Sequence, residues 1–288
     1  MAEISASLVV RLRQLSGQGM MDCKKALEES GGDIEKAMDI LRKKGLATLS
    51  KRAEKETSEG LVVSKISEDG RQAAIASLCS ETDFVARSDA FKAAAKTLAD
   101  YALACANDEG AESIVKTSLG GKSFNDVLTE VVSKTGEKIQ VGEYAKFRLG
   151  GPGLISTYIH FNDKVGTMVQ VDTDSDAVAS SPTMKQAAFD VAMHIAATKP
   201  LAIDKEGVDQ QTIEREKAIY AEQVQGKPAQ IVEKIVEGKM KKFYEENCLL
   251  EQPFVKDDSK TVGQVLSGAA KECGGQAKIV RFVRFAVG

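Results

Sequence analysis

A chain of 288 residues is longer than one mean domain, and 43% hydrophobic residues supply material for two or three compact cores. The formal charge of -3 removes any global electrostatic case for nucleic acid, so a partner must be read by a local surface and no direct nucleic-acid contact is expected. No window approaches a membrane span, Met1-Ala2-Glu3-Ile4 lacks a signal pattern, and five scattered cysteines without a C-x-x-C pair indicate reduced thiols, so a cytoplasmic location without membrane contact is expected.

Residues 4–15 place Ile4, Leu8, Leu12 and Leu15 on one helical face and leave Arg11 and Arg13 off it. Ser16-Gly17-Gln18-Gly19 ends that helix, and Asp22 is positioned to cap a short second helix over residues 23–29. Gly31-Gly32 stops the second, and Asp33 caps a third carrying Ile34, Ala37, Met38 and Leu41. Met20 and Met21 fall at the surface end of the second helix, where soft side chains serve either as core filler or as a protein contact. Residues 42–59 are charged and poor in large apolar groups, as a solvated helix or linker would be.

Gly60 opens a strand over residues 61–66, and Glu68-Asp69-Gly70 turns it back into residues 72–79, a hairpin signal. The stretch that follows, Glu81-Thr82-Asp83-Phe84-Val85-Ala86-Arg87, sets a bulky aromatic beside a carboxylate at a turn. A buried strand has no reason to break on Thr-Asp, and a helix start has no need of an exposed Phe, so the tip reads as a wedge presented to something else. A helix from Ser88 carries Phe91, Leu98, Tyr101 and Ala102, and a second from Ser123, with Asp126 completing a capping box, carries Phe124, Val127, Leu128 and Val131.

The period then falls to two. Residues 139–149 read as a strand with Val141, Ala145, Phe147 and Leu149 on one side. Residues 154–161 and 165–171 form a second hairpin around Asn162-Asp163-Lys164, followed by a polar stretch and a helix with Met184, Ala188, Val191, Ala192 and Ile195. Hairpin, acidic turn and alanine-rich helix thus occur twice, which implies two related α+β halves. Residues 208–246 read as two polar helices joined at Gly226-Lys227-Pro228, with the sparse apolar stripes of an antiparallel coiled-coil projection. Residues 262–266 resume helix, and residues 279–287 form a strongly apolar strand that returns to the second sheet.

Catalytic signals fail on inspection. Gly120-Gly121-Lys122-Ser123 lacks the preceding strand and first glycine of a phosphate loop, and Asp172-Thr173-Asp174-Ser175-Asp176 lacks the glycine and glutamate of a calcium loop. His160 and His194 lie in different elements without a partner at ligand spacing, His194 reads as a satisfied core residue, and no G-x-S-x-G elbow exists. No catalytic residue, cofactor or metal is therefore expected. Two rival readings stay open: a small-molecule enzyme using the second hairpin and His160, which requires converging polar groups, and an adaptor working through the N-terminal helices alone.

Five segments in order carry a resemblance: residues 17–27, residues 32–37, Glu81-Thr82-Asp83-Phe84-Val85-Ala86-Arg87, Met193-His194-Ile195-Ala196-Ala197, and residues 236–243. On these the chain resembles the bacterial translation elongation factor Ts family, the guanine nucleotide exchange factors of elongation factor Tu, over essentially its full length, with residues 104–122 matching poorly. The resemblance implies an α+β fold with a ubiquitin-associated-like helical domain (residues 1–55), a core of two subdomains (56–150, then 151–205 with 247–288) and an inserted coiled-coil arm (206–246), which could support a homodimer or a 2:2 complex. It further implies that Thr82, Asp83, Phe84 and Val85 insert near the magnesium site of the GTPase, that Arg13, Met20 and Met21 touch the same domain, and that His160 presses toward its phosphate-binding loop. Some members continue into a further helical module where this chain stops at Val287-Gly288.

Overall fold

The computed structural model describes residues 4–224 and 228–288. Three helices lead: α1 (Ala6–Ser16), α2 (Met20–Glu29) and α3 (Ile34–Lys51). They close around Leu12, Cys23, Leu27, Ala37 and Leu41, with Ile4 and Leu8 at the rim. Three local expectations change here, the first being Met38, which lies exposed on α3 beside the buried Ala37 and Leu41. Gly19, not Asp22, occupies the cap of α2, so the helix starts at Met20 and Asp22 falls in its first turn, where a carboxylate complements the helix dipole. Leu15 is 60% exposed, because the inner stripe of α1 runs through Val9 and Leu12 to Ser16 instead. Of the charged stretch at 42–59, α3 takes the part up to Lys51. Helix α3 lies along a later helix over Phe124–Thr135, with Ser133 Oγ donating to the Leu41 carbonyl and Arg42 paired to Asp126.

The remainder is built twice on one plan. The first half runs β1 (Glu59–Ile66), β2 (Gln72–Ser80), the one-turn α4 (Asp83–Ala86), α5 (Asp89–Ala104), α6 (Ala111–Lys116), a small hairpin β3 (Ser118–Leu119) and β4 (Lys122–Ser123), α7 (Phe124–Thr135) and β5 (Ile139–Arg148). The second runs β6 (Gly153–Ile159), β7 (Val165–Thr173), the short α8 (Asp176–Ser180), α9 (Pro182–Thr198), a helix pair α10 (Gln210–Glu222) and α11 (Ala229–Asn247), a small hairpin β8 (Pro253–Phe254) and β9 (Asp257–Thr261), α12 (Val262–Glu272) and β10 (Ala277–Ala286). Short helices α4 and α8 are capped alike, by Thr82 and Ser175, and α7 and α12 both open on capping boxes, Ser123 with Asp126 and Thr261 with Gln264. The Gly226-Lys227 part of the expected arm junction lies outside the described residues.

Each half forms a three-stranded antiparallel sheet, in the orders β1-β2-β5 and β10-β7-β6. Helices cover one face of each, and the two remaining faces pack on one another through Val62, Ile75, Phe147, Ile155, Met168 and Phe285. That is why β2 is buried nearly throughout: it has helix α5 on one side and the second sheet on the other, the pattern of a continuous apolar run. Gly166 stands where the sheets leave no room for a side chain, since a Cβ there would lie 2.5 Å from Val62 Cγ1.

Strand β5 departs from strict alternation. A bulge sets Gly142 and Glu143 opposite Ser77 alone, and the Glu143 amide donates to Ser77 Oγ at 2.8 Å. The extra residue reverses the parity, so Ile139, Val141 and Tyr144 face the helices while Ala145, Phe147 and Leu149 face the second sheet. Val141 and Ala145 therefore do not share a face as simple alternation requires.

Candidate partner-binding surface

The stretch after β2 folds as a mounted turn, not a loose one. Thr82 caps α4: its hydroxyl accepts from the Val85 amide (3.4 Å) and donates to Glu137 Oε1 (2.7 Å), while its own amide donates to Glu137 Oε2 (3.1 Å). The neighbouring carboxylate reciprocates, Glu81 Oε1 accepting from the Lys138 amide at 2.6 Å and Oε2 from Arg52 at 2.6 Å. Burial works against the charge of Glu81, but the Lys138 amide and the Arg52 guanidinium outweigh it and hold the carboxyl below its ordinary 4.5. Lys138 Nζ in turn donates to the carbonyls of Ala53 and Lys55.

On this mount Phe84 is 84% exposed. Val85 points the other way, half-buried against the first core. Asp83 pairs with Arg87 at 3.1 Å along the exposed side of the turn, a pair weak enough to be exchanged for another partner.

The elements that carry the other expected contact residues are linked to this turn by a series of contacts. Glu59 pairs across the ladder with Ser80, the residue whose hydroxyl donates to the Thr82 carbonyl. Glu59 also receives Lys164 at 2.7 Å, and the Val62 amide donates to the Asp163 carbonyl at 2.7 Å, so the turn after β6 is fastened to the start of β1. That turn carries His160, whose Nδ1 lies 3.0 Å from the Tyr158 hydroxyl, and Phe161, which is 88% exposed with its ring centroid 4.4 Å from that of His160. Sequence reasoning passed over Phe161. The rule that found Phe84, an aromatic at a turn beside a carboxylate, applies equally to Phe161 before Asn162-Asp163.

On the opposite flank, the Gly17 corner between α1 and α2 lies against the aliphatic stem of Lys134, near the end of α7, and Glu137 follows on that same connection to β5. Met20 and Met21 both lie exposed on the first turn of α2, Met21 at 65%. Arg13 is exposed in the last turn of α1, its carbonyl closing the helix onto Gly17. A run of contacts thus joins the α1–α2 corner that carries Arg13, Met20 and Met21, the turn that carries Asp83 and Phe84, and the β6–β7 turn that carries His160 and Phe161. The clasp residues Glu81, Glu137 and Arg52 gave no local sequence signal, because their partners lie 29 to 57 residues away.

Beside His160 lies an apolar depression of about 340 Å³ lined by Tyr158, Val165, Met193, Ala196, Ala197 and Val255. Its two polar groups, His160 and Tyr158, bond to each other instead of converging on an empty centre. His194 is fully buried: the Val255 amide donates to Nδ1 (3.3 Å), which leaves the Nε2 hydrogen for Gln252 Oε1 (2.8 Å), and burial lowers its pKa. It is the satisfied core histidine expected. Among the described residues no group of three histidine, cysteine or acidic side chains could hold a metal ion, and no helix is long and apolar enough to cross a membrane.

Comparison with known proteins identifies the family. The family model described as elongation factor TS matches residues 81–288, starting at the clasp carboxylate. Curated relatives named elongation factor Ts extend the similarity through the N-terminal helices. That of a Nitratiruptor species is 44% identical over 99% of this chain and 93% of its own length. That of Prosthecochloris aestuarii is 42% identical over 100% of both, and that of the Alaska strain of Clostridium botulinum is 43% identical over 98% and 92%. With the match running through both repeated halves and their inserted helix pair, this chain belongs to the elongation factor Ts family, and so to the translation elongation factors.

Proposed function

We propose that the chain is a cytoplasmic guanine nucleotide exchange factor that binds elongation factor Tu carrying GDP, disturbs its magnesium and phosphate site and promotes GDP release. The observation that carries this reading is Phe84, a fully presented phenyl on a turn held by two carboxylates. Exposing such a ring has no use in the isolated chain, and rigid aromatic anchors dominate protein interfaces. Magnesium demands near-octahedral oxygen geometry, so displacing a ligand by an ångström weakens nucleotide binding sharply. Phe84 would wedge helices of the GTPase apart while Asp83 leaves Arg87 to compete for groups that order the metal. Because coupling is reciprocal, a factor that prefers the empty GTPase lowers nucleotide affinity by the same factor by which nucleotide lowers its own. No covalent step is needed.

In this reading residues 1–55 are the ubiquitin-associated-like domain that brings Arg13, Met20 and Met21 to the GTPase. Residues 56–150 carry the wedge, residues 151–205 with 247–288 carry His160, and residues 206–246 form the coiled-coil arm, available for a homodimer or a 2:2 complex. The test is stopped-flow release of fluorescent GDP. Asp83→Ala with Phe84→Ala should slow stimulated release roughly ten- to hundredfold, the scale of a central interface anchor, while the melting temperature holds. Unchanged release by a folded double variant sinks the wedge.

A further inference from the structure

We propose that Glu137 is a positioning residue for Phe84, acting through Thr82; this rests on the wedge reading above. Helix α4 has four residues, far too few to hold their own direction, since isolated helices of even a dozen residues are marginal. The direction of Phe84 must come from tertiary contacts at the cap. Glu137 spans both donors of Thr82, taking the amide on Oε2 at 3.1 Å and the hydroxyl on Oε1 at 2.7 Å. With its hydrogen committed to Glu137, the Thr82 hydroxyl has only lone pairs left for the cap, and it turns one to the Val85 amide.

Glu137 therefore fixes the rotamer and polarity of the cap, the cap fixes the single turn, and the turn aims the phenyl. The reciprocal bond from Lys138 to Glu81 keeps the two strand ends from sliding past each other. Nothing in this arrangement requires Glu137 to touch a partner. Its identity would matter to exchange only through where Phe84 points.

That separates it from a merely structural carboxylate. Stimulated GDP release from the GTPase and the melting temperature are measured for full-length Glu137→Ala, Phe84→Ala and the double variant. Glu137→Ala should slow release roughly tenfold, the loss of hydrogen bonds to a charged acceptor. In the Phe84→Ala background it should add no more than about twofold, because variants acting in one unit are non-additive. Its lowering of the melting temperature should be the same in both backgrounds.

Glu137→Gln keeps one acceptor oxygen and should recover part of the rate; it carries the same comparison if the alanine variant does not fold. A full tenfold loss persisting without Phe84, or no loss with it, overturns the positioning role alone. Wild-type release by Phe84→Ala overturns the wedge reading, and the positioning role falls with it.

Discussion

Single side chains in this protein divide between those that the core uses and those that it leaves in solvent. His194 is of the first kind. In the folded chain its Nδ1 accepts from the Val255 amide, so a second proton would set donor against donor in a site without water access. Burial therefore depresses its pKa below the ordinary 6.5. The unfolded chain binds more protons, so the contribution of His194 is complete above about 6.5 and is lost as pH falls through the depressed folded value. Thermal denaturation at pH 7.5 and 5.5 should show a fall in stability that His194→Gln reduces; an identical fall in the variant would place the sensitivity elsewhere. Phe161 is of the second kind. At 88% exposure its removal should move stability by less than about 0.5 kcal/mol. If the proposed surface extends across the second hairpin, Phe161→Ala should still weaken calorimetric binding to elongation factor Tu roughly tenfold, whereas unchanged affinity would confine the contact to the first half.

At the scale of elements, what periodicity and capping chemistry govern was legible, and what depends on distant partners was not. The helices from Ser88 and Ser123 begin where their caps stand, and the hairpins turn at Asp69-Gly70 and Asn162-Asp163-Lys164. Phe84 was visible because an exposed aromatic violates a local rule. Its mount was invisible, since Glu81 and Glu137 obey every local rule and find their purpose only across the chain. The start of α2 was misplaced because Gly19 caps with no side chain to advertise it. The bulge in β5 escaped because alternation resumes correctly on each side of Gly142 and only the parity changes. That position offers a test: a Cβ would stand 2.6 Å from Ser77 Oγ and 2.9 Å from Cys79 Sγ. Gly142→Ala should cost about 1–3 kcal/mol in urea denaturation through overpacking. A neutral substitution would mean that the bulge relaxes freely, and with it the face assignment of Val141 and Ala145.

Across the whole molecule, the two halves share one apolar layer, and a pair of helices leaves it from a single point. The sheets share an apolar layer in which Met168 is fully buried, so a void there is felt by both halves. The helix pair α10 and α11 stands differently. The Leu201 amide donates to the Asn247 carbonyl at 2.8 Å and the Leu249 amide to the Ala202 carbonyl at 2.9 Å, so the chain leaves and re-enters at one point. Between those ends the pair buries Met240 and Phe243 chiefly against its own Ile213, Tyr220 and Val236. An excursion whose ends are already joined adds little loop entropy, because closure cost grows only logarithmically with length. Replacing residues 206–246 by a short glycine-serine turn should therefore leave a single cooperative transition, lowered by roughly 2–4 °C for the exposed rims of Ala202 and Cys248. Met168→Ala should by contrast cost about 2–5 kcal/mol while also keeping one transition. Calorimetry on the two variants separates the cases: if excising the helices splits or abolishes the transition, the arm is part of the core. If it does not, the same truncated chain, run on a sizing column beside the full one, shows whether the arm alone carries any self-association.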